Sequence, residues 1–290
     1  MRKHIRNLAL GVSGLALIIF IIGSYVIVAQ TATSGTWTSK PSTDNSNEVH
    51  LSFSRDSSKF GKNQHSSDFA YGDLQGLARD QPNGKVNFRL VREAGTIECE
   101  GTITDGEGSG TFTFTPNRSF IDAMAARGFK FRDDQMFPAT TINVTTAFAD
   151  ELKTANFGDL DVDDLFKAVI FKITPQFAAE MKATGFPNMG MEDLVKARIF
   201  KIDAAFVREV TEMGFAKDDF EQLVKLRIFK VTPEFLGELK NEGFAGLSIE
   251  EVVKFRIFKI DSDFIRKARA QDPNVTVEGL VEIKIGVRRK

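Results

Sequence analysis

The chain has 290 residues, room for two ordinary domains, and its 42% hydrophobic and 27% charged content excludes a disordered polypeptide. Its 38 basic and 39 acidic residues give a net charge of −1, which excludes a general nucleic-acid binder, a class that needs a basic surplus to displace counterions. The single cysteine, Cys99, excludes an internal disulfide and a cysteine zinc cluster.

Residues 1–29 start basic, with Arg2, Lys3 and Arg6, and continue as an apolar run from Leu8 to Ala29. A run of this length spans a bilayer, for which roughly 20 residues suffice. It also ends Ile27-Val28-Ala29, an acceptable cleavage pattern before Gln30. The segment is therefore expected to be a cleaved signal peptide or an uncleaved membrane anchor. Because positive residues stay on the cytoplasmic side, the rest of the chain is expected to be exported. It then faces outward from the cell membrane or, after cleavage, is periplasmic or secreted.

Residues 30–47 read as a polar linker with a first strand near Trp37. Over 48–116 the apolar period is two: Val49, Leu51, Phe53; Val86, Phe88, Leu90; Ile97, Cys99, Ile103; Phe112, Phe114. Turn signals at Pro82-Asn83-Gly84, Glu93-Ala94-Gly95 and Asp105-Gly106 separate these runs. A small antiparallel β domain of five or six strands follows, as a sandwich or open barrel. Arg55 to Ser67 shows no alternation and is expected to be a long surface loop.

After Pro116 the chain repeats itself. Phe120, Phe148, Phe177, Phe206, Phe235 and Phe264 stand 28 and then 29 residues apart. Four units end in Ile170-Phe-Lys-Ile173, Ile199-Phe-Lys-Ile202, Ile228-Phe-Lys-Val231 and Ile257-Phe-Lys-Ile260. Residues 117–290 thus read as about six units of two short helices, an α-solenoid-like array with degenerate units at both ends as caps. The fold class is α+β. Thr174, Asp203, Thr232 and Asp261 are expected N-caps of the first helices, with Pro175 and Pro233 at the first helical position. Gly185, Gly214 and Gly243 are expected to end those helices in the left-handed conformation. Capping boxes at Asp161/Asp164, Asp219/Gln222 and Ser248/Glu251 open the second helices, whose inner stripe reads as Val195, Ile199 and Ile202. Whether the Ile-Phe-Lys-Ile ends stay helical is open.

Charges recur with the same period. Lys196/Arg198, Lys225/Arg227 and Lys254/Arg256 lie in the second helices, with Lys172, Lys201, Lys230 and Lys259 at their ends. Acids open those helices at Asp163/Asp164, Glu192/Asp193, Asp218/Asp219 and Glu250/Glu251. Acid first and base last is what the helix dipole favours. Stacked units would also align Lys196, Arg198, Lys225, Arg227, Lys254 and Arg256 into a ladder suited to an anionic partner.

Other candidates reduce to structural roles. Asp159-Leu-Asp161-Val-Asp163 starts like a calcium loop but has Asp164 and Ile170 where glycine and a bidentate Glu belong. Asp105-Gly-Glu-Gly-Ser-Gly110 leads into a strand and reads as a hairpin turn, not a phosphate cradle. Cys99 is expected to be packed and inert, and His50 to be solvated on a strand's polar face. No catalytic set, metal site or cofactor motif appears.

The stretches Gly35-Thr-Trp37, Leu74-Gln-Gly-Leu77, Val86-Asn-Phe-Arg-Leu-Val-Arg-Glu-Ala-Gly-Thr96, Gly110-Thr-Phe-Thr-Phe-Thr-Pro116 and Val231-Thr-Pro-Glu-Phe-Leu-Gly-Glu-Leu-Lys-Asn-Glu-Gly-Phe244 carry a resemblance. In this order they resemble the extracytoplasmic accessory region attached to bacterial membrane metallopeptidases of the beta-lactam-sensor (antirepressor) type, over roughly residues 35–290. The resemblance implies a sensory or interaction region. The family's peptidase part needs His-Glu-x-x-His on a membrane helix, whereas this chain has only His4, His50 and His65, far apart. Peptidase activity and its metal do not carry over. The expected function is a non-enzymatic, extracytoplasmic protein-interaction or sensing module with a protein partner in the cell envelope. It touches the membrane only through residues 1–29, if these are uncleaved. The alternative is a cell-envelope binder holding a glycan or lipid on the β domain.

Overall fold

The computed structural model describes residues 33–57, 61–155, 157–215 and 219–287, so the signal or anchor segment 1–29 lies outside the described residues. None of the described helices is long and apolar enough to cross a membrane.

The chain is α+β. Seven antiparallel strands among the described residues are followed by twelve helices. The strands are β1 (Thr33–Pro41), β2 (Glu48–Ser57), β3 (Gly61–Ala70), β4 (Leu74–Gln75), β5 (Gly84–Arg92), β6 (Gly95–Thr104) and β7 (Glu107–Pro116). They form one curled sheet, a half-barrel, in the order β3-β2-β1-β7-β6-β5-β4. One sheet, rather than two packed face to face, leaves the open-barrel form and not the sandwich. The first strand expected near Trp37 is β1, which lies inside the sheet between β2 and β7.

The alternating residues read from the sequence all face inward: Val49, Leu51, Phe53, Val86, Phe88, Leu90, Ile97, Cys99, Ile103, Phe112 and Phe114 are buried. Trp37 joins them. Its indole lies where a Cβ on Gly101 or Gly108 would come within 2.8 Å of the ring, and its Nε1 donates to the Glu100 carbonyl at 3.2 Å. Glycine is required there by close approach alone. The β6–β7 hairpin turns through Asp105 and Gly106, both at positive φ (52° and 81°), the conformation that matches strand twist.

The expected loop from Arg55 to Ser67 is corrected. β2 runs on to Ser57, and β3 pairs with it in unbroken register from Glu48↔Ala70 to Ser57↔Gly61. β3 is an edge strand held by its backbone ladder. The positions in phase with buried Phe69 are Ser67 and His65, so no apolar alternation marks it.

The helices are α1 (Arg118–Ala126), α2 (Asp133–Thr141), α3 (Thr146–Thr154), α4 (Val162–Ile170), α5 (Pro175–Ala183), α6 (Met191–Ile199), α7 (Ala204–Glu212), α8 (Phe220–Ile228), α9 (Pro233–Asn241), α10 (Ile249–Ile257), α11 (Ser262–Arg269) and α12 (Val277–Ile285). The second helix of each pair packs on the next: α4 on α6, α6 on α8, α8 on α10, α10 on α12. First helices likewise meet, α1 with α3 and α3 with α5.

The caps follow the sequence closely. Thr174, Asp203, Thr232 and Asp261 accept the backbone N–H three residues on, and Gly185, Gly214 and Gly243 have φ of 118°, 89° and 78°. Capping boxes form at Asp161/Asp164 and Ser248/Glu251. At Asp219 the box is absent, because its carboxylate accepts from Glu221 N, one residue earlier.

Two further points differ from expectation or settle it. The second helices are helical only to Ile170, Ile199, Ile228 and Ile257, and each then closes in a Schellman turn. In the first such turn Ile173 N donates to Ala168 O and Lys172 N to Val169 O, and the other three repeat this pattern. Ile199 also leaves the inner stripe, because the buried face is Leu194, Val195 and Ala197, and Ile199 lies two residues, or about 200°, past Ala197. Ile202, beyond the turn, is buried as expected.

The first pair departs from the repeat because it meets the sheet. Phe137 occupies the position of Val195, Val224 and Val253, which are buried between helix pairs. Its ring lies 5.7 Å from Phe53, 5.4 Å from Phe112 and 5.3 Å from Phe114, under the Arg55 guanidinium at 4.3 Å. The β5–β6 turn clamps the same junction, with Glu93 accepting from Thr146 N and Oγ1, both at 2.9 Å. One continuous apolar core results.

Candidate interaction surface of the helical array

The recurring charges are brought into rows, as the period requires, but most of them face a neighbouring pair. Lys196 Nζ meets Glu221, Lys225 meets Glu250 at 3.4 Å and Lys254 meets Glu278 at 2.7 Å, while Lys167 meets Glu192. The partner carboxylates hold the Lys167, Lys196 and Lys254 ammoniums above their ordinary range, through hydrogen bonds first of all. The opening acids divide their work. Glu192 and Glu250 reach the preceding pair, whereas Asp193, Asp164 and Glu251 accept backbone N–H groups of their own helix. Asp163 accepts from Gln135 at 3.3 Å, and Asp218 lies outside the described residues. Glu221, Glu278 and Lys167 are missed by the sequence reading; Glu221 stands 29 residues after Glu192, Glu278 28 after Glu250 and Lys167 29 before Lys196, and that period is the signal that identifies them.

The three arginines bind in a second way. Arg198, Arg227 and Arg256 donate from Nη2 to the carbonyls of Lys172, Lys201 and Lys230, each at 2.8 Å. Each guanidinium also lies over the first aromatic ring of its own helix pair: Phe177 at 3.6 Å, Phe206 at 4.0 Å and Phe235 at 3.6 Å. A planar cation over a ring, with one donor on a left-handed carbonyl, is geometry that lysine cannot copy. Burial lowers the Arg256 pKa, as expected for a guanidinium drawn onto a ring. The six-residue ladder expected to meet a partner is therefore engaged inside the array, joining one pair to the next.

Other cations remain. Lys172, Lys201, Lys230 and Lys259 sit at the left-handed position of the four Schellman turns, with φ of 53°, 52°, 52° and 49°. Glycine is the residue that takes this conformation without strain, and a side chain there costs about 1 kcal/mol. All four are exposed, and among the described residues none has an ion-pair partner. Two residues before each stands an exposed isoleucine: Ile170, Ile199, Ile228 and Ile257 are 57%, 52%, 48% and 49% exposed. Between them lie half-buried Phe171, Phe200, Phe229 and Phe258. Because Arg198 reaches back to Lys172 from three residues before Lys201, consecutive turns are neighbours, and the Ile-Phe-Lys groups form one row.

The remaining candidates have local roles. Asp161 is an N-cap, and no group of three or more potential metal ligands occurs among the described residues. Asp105-Gly106 is a hairpin turn. Cys99 is packed opposite Phe88 and Phe112, and burial pushes its thiol up to about 12. His50 is half-exposed on the outer face and hydrogen-bonds Asp68 at 2.8 Å. The concave face of the sheet is filled by its own aromatic rings and by Phe137, so a lipid or glycan on the β domain would have to lie on the outer face. No protein-family model matches the chain, and a comparison with curated proteins likewise finds no match.

Proposed function

We propose that the chain is a non-enzymatic, extracytoplasmic interaction or sensing module in which six helix pairs form a solenoid that presents an extended binding surface to a protein of the cell envelope. The observation that carries this reading is a joint repeated at three successive boundaries, α4 to α6, α6 to α8 and α8 to α10. The Arg198, Arg227 and Arg256 contacts recur at one distance and one sequence offset. Units joined in this way build a continuous, quasi-one-dimensional surface of the kind that binds other macromolecules. The sensing part rests on the resemblance to the accessory region of beta-lactam-sensor type metallopeptidases, and the export part on residues 1–29.

Two experiments test it. Photo-crosslinkers placed on the exposed helical surface should capture a discrete envelope protein, and crosslinkers on the outer face of the sheet should not. A glycan or lipid retained through the sheet, with no protein captured by the helices, would overturn the reading in favour of a ligand binder. An alkaline phosphatase fused after Lys290 should be active; a fusion active only with a cytoplasmic reporter would refute export.

A further inference from the structure

We infer that the row Ile170-Phe-Lys172, Ile199-Phe-Lys201, Ile228-Phe-Lys230 and Ile257-Phe-Lys259 is the docking face of the array, and that its occupant is an extended polypeptide segment carrying an acid and an apolar residue at three-residue spacing. This deepens the interaction reading above and rests on it. Three observations lead here. The four lysines are cations without an ion-pair partner among the described residues, whereas Lys167, Lys196, Lys225 and Lys254 each have an acid. Each stands beside an isoleucine about half exposed, so apolar surface and positive charge alternate along the row. And each keeps a side chain at a left-handed position, although the same chain uses Gly185, Gly214 and Gly243 where its first helices end. The backbone there asks for glycine, so the lysines are not required by the turn.

The period fixes the occupant. Packed helices stand about 8–10 Å apart, and a polyproline II segment advances about 3.1 Å per residue with three residues per turn. Every third residue of such a segment thus returns to the same face at the spacing of the row. An acid at that period meets each ammonium, and the next residue lies over an isoleucine. A second copy docked row to row is a poor occupant, because the two lysine rows would repel. A bilayer is also disfavoured. The isoleucines are half covered and flanked by half-buried rings, so they lie flush with the surface and do not project as an inserting face does.

The test uses the full chain and a labelled peptide of four Asp-Leu-Pro repeats, with Asn-Leu-Pro repeats and phosphatidylglycerol vesicles as comparison probes. Fluorescence anisotropy should show saturable binding of the acidic peptide that weakens with salt, and little binding of the Asn peptide. Replacing the four lysines, Lys172→Gly, Lys201→Gly, Lys230→Gly and Lys259→Gly, relieves the turns and so keeps the fold. Affinity for the acidic peptide should fall about tenfold or more, from the loss of four exposed charge contacts. Ile199→Ser with Ile228→Ser should weaken binding while circular dichroism stays unchanged. Peptide binding untouched by the lysine changes would overturn the proposal, as would vesicle binding that these changes abolish in place of peptide binding. Envelope crosslinking in the parent and the lysine variant separates the two levels of the argument. A partner captured equally by both refutes this face but not the interaction module, whereas no partner with either refutes the module itself.

Discussion

Replacing Phe137 by alanine should uncouple the sheet from the helices. The ring is 1% exposed and touches Phe53, Phe112 and Phe114, with Arg55 over its face. Truncating a buried phenylalanine costs about 3–5 kcal/mol, through lost transfer energy and the cavity left behind. Each aromatic neighbour adds about 0.5–1.5 kcal/mol beyond the buried area, which places this site toward the upper half of that range. Burial already holds the Arg55 pKa below its ordinary value, and without the ring its guanidinium loses that partner. We expect a loss of about 4 kcal/mol, or a drop of roughly 2 M in urea midpoint for a slope of about 2 kcal/mol/M. The chain has one tryptophan, Trp37, buried in the sheet, so its fluorescence reports the β part and far-UV circular dichroism reports mainly the helices. The fluorescence transition should move to lower urea, and Phe137→Leu should recover most of the loss. A loss below about 1 kcal/mol, or a fluorescence midpoint that does not move, would refute the view that Phe137 closes the half-barrel.

Removing residues 206–234 deletes one whole repeat and rejoins Ala205 to Phe235, leaving Arg256 facing the Lys201 carbonyl and Lys196 facing Glu250; the helix signal per residue and cooperative melting should persist. Removing only residues 206–219 should strip cover from buried Leu223 and Val224 and lower the melting temperature much further, and equal damage from both deletions would mean that the units are not modular. Arg227→Ala should cost about 2–3 kcal/mol by urea unfolding, from one charge-assisted hydrogen bond and one cation–π contact, and Arg227→Lys should recover less than half. Cys99 should label slowly with a thiol reagent in the native protein and quickly in denaturant. Its thiol is raised from 9.0 to about 12, so the unfolded chain ionises first and the stabilisation is complete below pH 9, then lost as pH rises toward 12. Cys99→Ala should remove that alkaline slope, and an unchanged slope would assign it elsewhere.

Much of this molecule is legible where a single side chain does the local work. Thr174-Pro175 and Thr232-Pro233 announce helix starts because the hydroxyl that caps them is a letter in the sequence. Asp105-Gly106 announces a hairpin for the same reason. Legibility fails where backbone does the work. β3 is held by a ladder whose donors and acceptors every residue carries, and its inward positions are Ser67 and His65. The arginine contacts end on carbonyls, which no residue type marks, so Arg198, Arg227 and Arg256 read as free surface charge until their partners are seen. The Schellman turns were equally hidden, since lysine stands where glycine would have signalled them. Ile199 reads as core only when the helical stripe is extended through the end of α6.

The repeated joints also have a mechanical consequence. Pulled by its ends, an array of this kind is loaded in series, and the three joints from α4 to α10 resist with much the same contacts: one arginine on a carbonyl and one lysine on a glutamate. Tension should therefore unspool the chain pair by pair, each step releasing 29 residues, or about 100 Å of contour. The pairs farthest from the sheet yield first. The two pairs nearest the sheet, pinned by Phe137 and by Glu93 on Thr146, should be the last to go.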